Sequence, residues 1–134
     1  MPKTHPAPRP APADRARPTE SLARLAVESC RDLKAKDVLA LDLAGVTDMT
    51  DYFVIATGTS DTHVRSIAEH VLEGMAAAGH RAAHTDGLQQ GGWVVLDFVH
   101  CVVHVFHPTL REYYQLERLW GDAQPLTLDA PGAA

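Results

Sequence analysis

The chain has 134 residues, 46% hydrophobic and 22% charged, the proportions of one ordinary globular domain, which exclude a collagen-like repeat and a wholly disordered chain. Its formal charge of −5 is unevenly spread: residues 1–18 hold Lys3, Arg9, Arg15 and Arg17 against Asp14, so they carry +3 and the remainder −8. A domain that acidic suits a basic protein partner better than a phosphate backbone, whose affinity comes from cations displacing condensed counterions, so DNA is not an expected partner.

Residues 1–18 contain six prolines and almost nothing to bury, so a disordered leader is expected there. Thr19 then caps a helix whose apolar positions Leu22, Leu25, Ala26, Ser29 and Leu33 recur at helical spacing, with an end near Lys36. Two strand-length runs follow, VLALDLAG and DYFVIATG, separated by the turn-prone VTDMT, and they should pair. Thr59 or Ser60 caps the next helix. Its Val64, Ile67, Ala68, Val71, Leu72 and Met75 form one apolar stripe, closed by Gly79. RAAHTD is a short strand, DGLQQGG a loop, and WVVLDF and CVVHVFH two more strands. Pro108 opens a last helix, LREYYQLERLW, ended by Gly121.

The order αββαβββα implies a single α/β domain, a five-strand mixed sheet with flanking helices, over residues 19–122. Residues 123–134 are expected to be a loose tail.

Cys30 and Cys101 stand in no CxxC spacing, which argues against a disulfide framework or a cysteine-built zinc site. They are expected to be buried free thiols in a reducing compartment. No apolar stretch exceeds strand length and no apolar h-region lies near the start. Neither a membrane span nor a secretory signal is expected, and the cytoplasm is the expected location.

With Val99 and His100 as the turn, antiparallel register sets Trp93 opposite Phe106, Val95 opposite His104 and Asp97 opposite Val102. One face of this hairpin then holds Val94, Leu96, Phe98, Cys101, Val103 and Val105 and belongs to the core. The other mixes Trp93 and Phe106 with Asp97 and His104. It is either covered, with its polar groups paired, or open as a docking surface.

His100, His104 and His107 invite a metal, but strand residues four apart are about 13 Å from each other, too far to share one zinc. The helix start at Thr59 and Ser60 suits an anion. Against this, Asp37 and Asp42 are expected on opposite strand faces, Asp97 has no acidic partner at i+2, and no P-loop motif is present. A nucleotide-binding or nucleotidyltransferase-type enzyme and a histidine-based metal module therefore lack their chemical sets. No catalytic residue, cofactor or metal is assigned. The last helix carries Tyr113, Tyr114, Leu116, Leu119 and Trp120, more apolar surface than one stripe needs. Such a surplus fits either a core-wrapping helix or a protein contact.

The runs TDYFVIATGTSDTHVRSIAEHV, GGWVVLDF, VVHVFHPTLREYY and LERLWGDA resemble those of the Iojap-related ribosomal silencing factors, RsfS or RsfA in bacteria, over about residues 22–124. The resemblance implies a nucleotidyltransferase-like fold without the catalytic set. It also implies a non-enzymatic repressor of translation that binds the large ribosomal subunit through large-subunit ribosomal protein fourteen and blocks joining of the small subunit. It places partner contacts on Trp93 and, in the last helix, on Tyr114, Leu116 and Leu119. Self-association as a homodimer off the ribosome stays open. The sequence departs from the family's usual Gly-Asp-like turn at Val99-His100, and from its more polar lead before the tryptophan at Gly91-Gly92.

Overall fold

A computed structural model of the chain describes residues 19–110 and 124–125. Helix α1 spans Glu20–Asp32, strands β1 and β2 span Lys36–Asp42 and Tyr52–Thr57, and helix α2 spans Asp61–Ala77. Strands β3, β4, β5 and β6 follow at His84–Asp86, Trp93–Asp97, Cys101–Phe106 and Gln124–Pro125. The sheet order is β3-β4-β5-β2-β1-β6. Its central β2–β5 pair is parallel and its other pairs are antiparallel, so the mixed α/β sheet is present with its five expected strands. The sixth, β6, is two residues long, pairs with the end of β1, and lies within the stretch expected to be a loose tail.

The helix ends show which local signals governed. Ser60 is in an extended conformation before α2, and its hydroxyl accepts a bond from the His63 backbone N–H. At the other end Gly79 takes φ +93°, and the Gly79 and His80 amides reach back to the Ala76 and Met75 carbonyls, the double bond of a Schellman stop. Helix α1 ends the same way, with Lys34 at φ +61° and the Lys34 and Ala35 amides on the Arg31 and Cys30 carbonyls. It therefore stops at Asp32 rather than near Lys36, because a lysine occupies the left-handed position where glycine would have announced the end. Thr19 sits at the start of α1 but does not cap it with its side chain. Its hydroxyl donates instead to Asp51 Oδ2 at 2.9 Å, tying the helix to the start of β2.

Both helices lie on one face of the sheet. Leu22, Ala26, Val27 and Cys30 of α1 and Val64, Ile67, Ala68, Val71 and Met75 of α2 close over Val54, Ala56, Val94, Leu96, Cys101, Val103 and Val105 in one buried cluster. The helices approach closely where Gly74 meets Ser29, since a Cβ at Gly74 would come within 2.9 Å of the Ser29 hydroxyl. The opposite face carries a smaller cluster of Leu41, Leu43, Phe53, Ile55 and Phe106, with Val46, Trp93, Val102 and Leu110 packed against it.

The hairpin register is the expected one, with Trp93 opposite Phe106, Val95 opposite His104 and Asp97 opposite Val102. In β1 a bulge between Lys36 and Leu39, with Asp37 at φ +51°, breaks the alternation that would have set Asp37 and Asp42 on opposite faces. Pro108–Leu110 are helical, and the remainder of the expected last helix lies outside the described residues.

Candidate partner-binding site

The second sheet face gathers an aromatic set. Trp93 stacks on Phe106 at 5.0 Å between ring centroids, and His104 lies edge-on to Phe53 at 4.8 Å. Adjacent antiparallel strands bring Trp93 and His104 onto this one face, and the indole Nε1–H donates to His104 Nδ1 at 3.2 Å. An indole nitrogen can only donate, so Nδ1 is the acceptor and the proton of the neutral ring sits on Nε2. His104 is 7% exposed, and burial pushes its pKa down to about 4, which keeps the ring uncharged at neutral pH.

Beside this set lies a cavity of about 220 Å³ lined by Thr47, Met49, Thr50, Phe53, Asp97, Val102 and His104. It is formed where the loop after β1 crosses the turn end of the β4–β5 hairpin. The His100 carbonyl accepts the Asp51 and Tyr52 amides at 3.2 Å each, and Leu43 N–H bonds the Asp51 carbonyl. Two buried polar atoms of the lining, Thr50 Oγ1 and His104 Nε2, have no hydrogen-bond partner among the described residues. Met49 at the loop tip is 86% exposed and Val99 at the hairpin turn 52%, the two exposed large hydrophobic side chains among the described residues.

The chemical alternatives fare differently. At the start of α2, Ser60 occupies the His63 amide, the Thr59 amide donates to His63 Nδ1 at 2.8 Å, and His63 Nε2 donates to the Leu33 carbonyl at 2.7 Å. Those amides are spent on the helix cap and on tying α2 to α1, which disfavours their use for an anion. Among the described residues no three His, Cys, Asp or Glu side chains are grouped to hold a metal ion. Both cysteines are buried and unpaired. Desolvation pushes the Cys30 thiol up to about 12 and the Cys101 thiol higher still, so neither is a nucleophile at neutral pH. No described helix is long and apolar enough to cross a membrane.

Of the residues singled out in the sequence, Trp93 is half-buried in the aromatic set, joined there by His104 and, at the cavity, Asp97. Tyr114, Leu116 and Leu119 lie outside the described residues. Met49, Thr50 and Phe53 were not singled out. VTDMT reads as a turn, and only the fold of that turn over β5 brings it to His104.

Comparison with known proteins gives a consistent neighbourhood. A family model described as "Ribosomal silencing factor during starvation" matches residues 16–133, a span that takes in most of the tail expected to be loose. A ribosomal silencing factor RsfS of Bacillus subtilis is 40% identical over 110 residues, covering 82% of this chain and 93% of that one. The chloroplastic protein Iojap of Zea mays is 32% identical over 108 residues, covering 81% of this chain and 45% of that one. A crystal structure of a Chromobacterium violaceum protein superposes with a TM-score of 0.75 at 36% identity, covering 86% of this chain and 94% of that one.

Proposed function

The chain belongs to the RsfS family of ribosomal silencing factors, and on that premise we propose that it binds the large ribosomal subunit through large-subunit ribosomal protein fourteen. Its bulk then occupies volume that the small subunit must enter, and translation is repressed without any catalytic step. The observation that carries this reading is the second sheet face: an aromatic set beside a cavity, flanked by exposed Met49 and Val99. Clustered aromatic and aliphatic groups of this kind set residence time at protein interfaces. The −8 charge of residues 19–134 favours encounter with a basic ribosomal protein. Trp93 is the proposed anchor on this face, with Tyr114, Leu116 and Leu119, outside the described residues, completing the contact.

Sucrose gradients test the proposal. Added protein should co-sediment with isolated large subunits and lower the yield of joined ribosomes when small subunits are supplied. Unaltered joining at saturating protein, or turnover of labelled nucleoside triphosphates with magnesium, would overturn it. Sedimentation of the free chain reports whether it pairs with itself off the ribosome.

A further inference from the structure

The cavity beside β5 contains more than an apolar surface needs. Buried polar groups are almost always paired in folded proteins, and leaving a donor unmet is costly. Here two atoms unmet among the described residues, His104 Nε2 and Thr50 Oγ1, belong to residues that are each 7% exposed and line the same cavity of about 220 Å³. The Trp93 bond to Nδ1 fixes Nε2 as a donor. Asp97, also in the lining, presents a carboxylate that only accepts; its Oδ1 takes the Val99 amide at 2.8 Å. The site therefore offers a fixed donor, a hydroxyl that serves either way, and an acceptor, among the apolar walls of Phe53, Val102 and Met49. An anion is disfavoured by Asp97, and a cation by the His104 N–H. A neutral carboxamide matches all three, its oxygen toward His104 and its NH2 toward Thr50 or Asp97. The exposed tip of Met49, and Val99 on the turn bonded to the same loop through the His100 carbonyl, supply the apolar rim that a protein surface would cover.

We propose that this cavity receives an asparagine or glutamine side chain of the ribosomal protein partner. The proposal rests on the large-subunit reading above and specifies what that partner must insert.

The test uses the full chain, isolated large subunits and the isolated ribosomal protein fourteen, with thermal midpoints measured in parallel. Thr50→Val removes the hydroxyl at constant shape, and His104→Asn keeps an acceptor near Trp93 while removing the Nε2 donor. Each is expected to weaken binding about fivefold or more, as loss of one hydrogen bond does, while Thr50→Val unfolds at or above the parent's midpoint because its hydroxyl has no partner among the described residues. Parent-like binding by both folded variants overturns the proposal. So does a lowered midpoint of Thr50→Val, which would mean that trapped water satisfies the group. A defect seen with whole subunits but not with the isolated ribosomal protein assigns the cavity to rRNA and also overturns it. Failure of the parent chain to bind large subunits rejects the functional reading itself, and the pocket's partner with it.

Discussion

His104 is the residue on which the second face turns, and its burial has a consequence for stability. In the unfolded chain its imidazole takes up a proton near the ordinary value of 6.5, whereas in the fold it does so only near 4. Between those values the unfolded state binds more protons, so stability falls as pH drops from about 6.5 to about 4 and is insensitive to this group above that window. The full difference is about 3 kcal/mol. Urea midpoints from pH 7 to pH 4.5 should therefore decline more steeply for the parent than for His104→Phe, and parallel curves would show that another group controls acid sensitivity. Trp93 contributes to the same arrangement. Trp93→Phe keeps an aromatic ring over Phe106 but loses the bond to Nδ1, and should cost about 1 kcal/mol in denaturant unfolding. The pairing of Trp93 with His104 was implicit in the hairpin register. The neighbourhood of Thr50 was not, because contacts made by a nine-residue connection, residues 43–51, carry no periodicity to extrapolate from.

At the scale of elements, the places where the sequence was silent are places where the backbone adopts a conformation its residue disfavours. Gly79 announces the end of α2, while Lys34 makes the same Schellman stop for α1 without a glycine to mark it. Val99 is the sharper case. It sits at φ +76°, with the His100 amide bonded to the Phe98 carbonyl at 2.9 Å, the pattern of a strained γ-turn. A β-branched residue is especially disfavoured at positive φ. Its side chain is half-exposed, so little packing is lost on replacement. Val99→Asn should raise stability by about 1 kcal/mol, Val99→Gly by less because glycine gains freedom in the unfolded chain. Lys34→Gly should gain about 0.5 kcal/mol on the same ground. Shifts in urea midpoint at constant slope check all three, and a destabilised Val99→Asn would show that Val99 makes contacts that offset its backbone strain. The hairpin itself was legible despite this turn, because strict alternation of Val94, Leu96, Phe98, Cys101, Val103 and Val105 fixes which face is core, and a one-residue slip would expose all of it.

For the whole molecule, the sheet divides the labour: one face is closed by α1 and α2 and supplies the main core, while the other holds the smaller cluster and the cavity. Chain order and apolar periodicity sufficed to foresee the first face, since helix stripes and strand alternation both point toward it. The second depends on how a loop crosses strand ends, and that depends on the finished fold. Charge acts at this scale rather than at any one contact. Residues 19–134, at −8, would gain mainly in encounter rate on meeting a basic partner, and that gain is screened as the Debye length shrinks from about 10 Å at 0.1 M salt. In the proposed complex, apolar contacts at Trp93 and the Met49 rim would govern departure instead. Raising salt from 50 to 300 mM should slow association with large subunits about tenfold with little change in dissociation. Met49→Ala should speed dissociation with little change in association and, at 86% exposure, shift stability by no more than about 0.5 kcal/mol. Deleting residues 1–18 removes a +3 segment, leaving the chain more acidic; association should then quicken slightly at low salt. A marked slowing would show that Lys3, Arg9, Arg15 and Arg17 make phosphate contacts, because only cations meeting rRNA could reverse the sign expected from a basic protein partner.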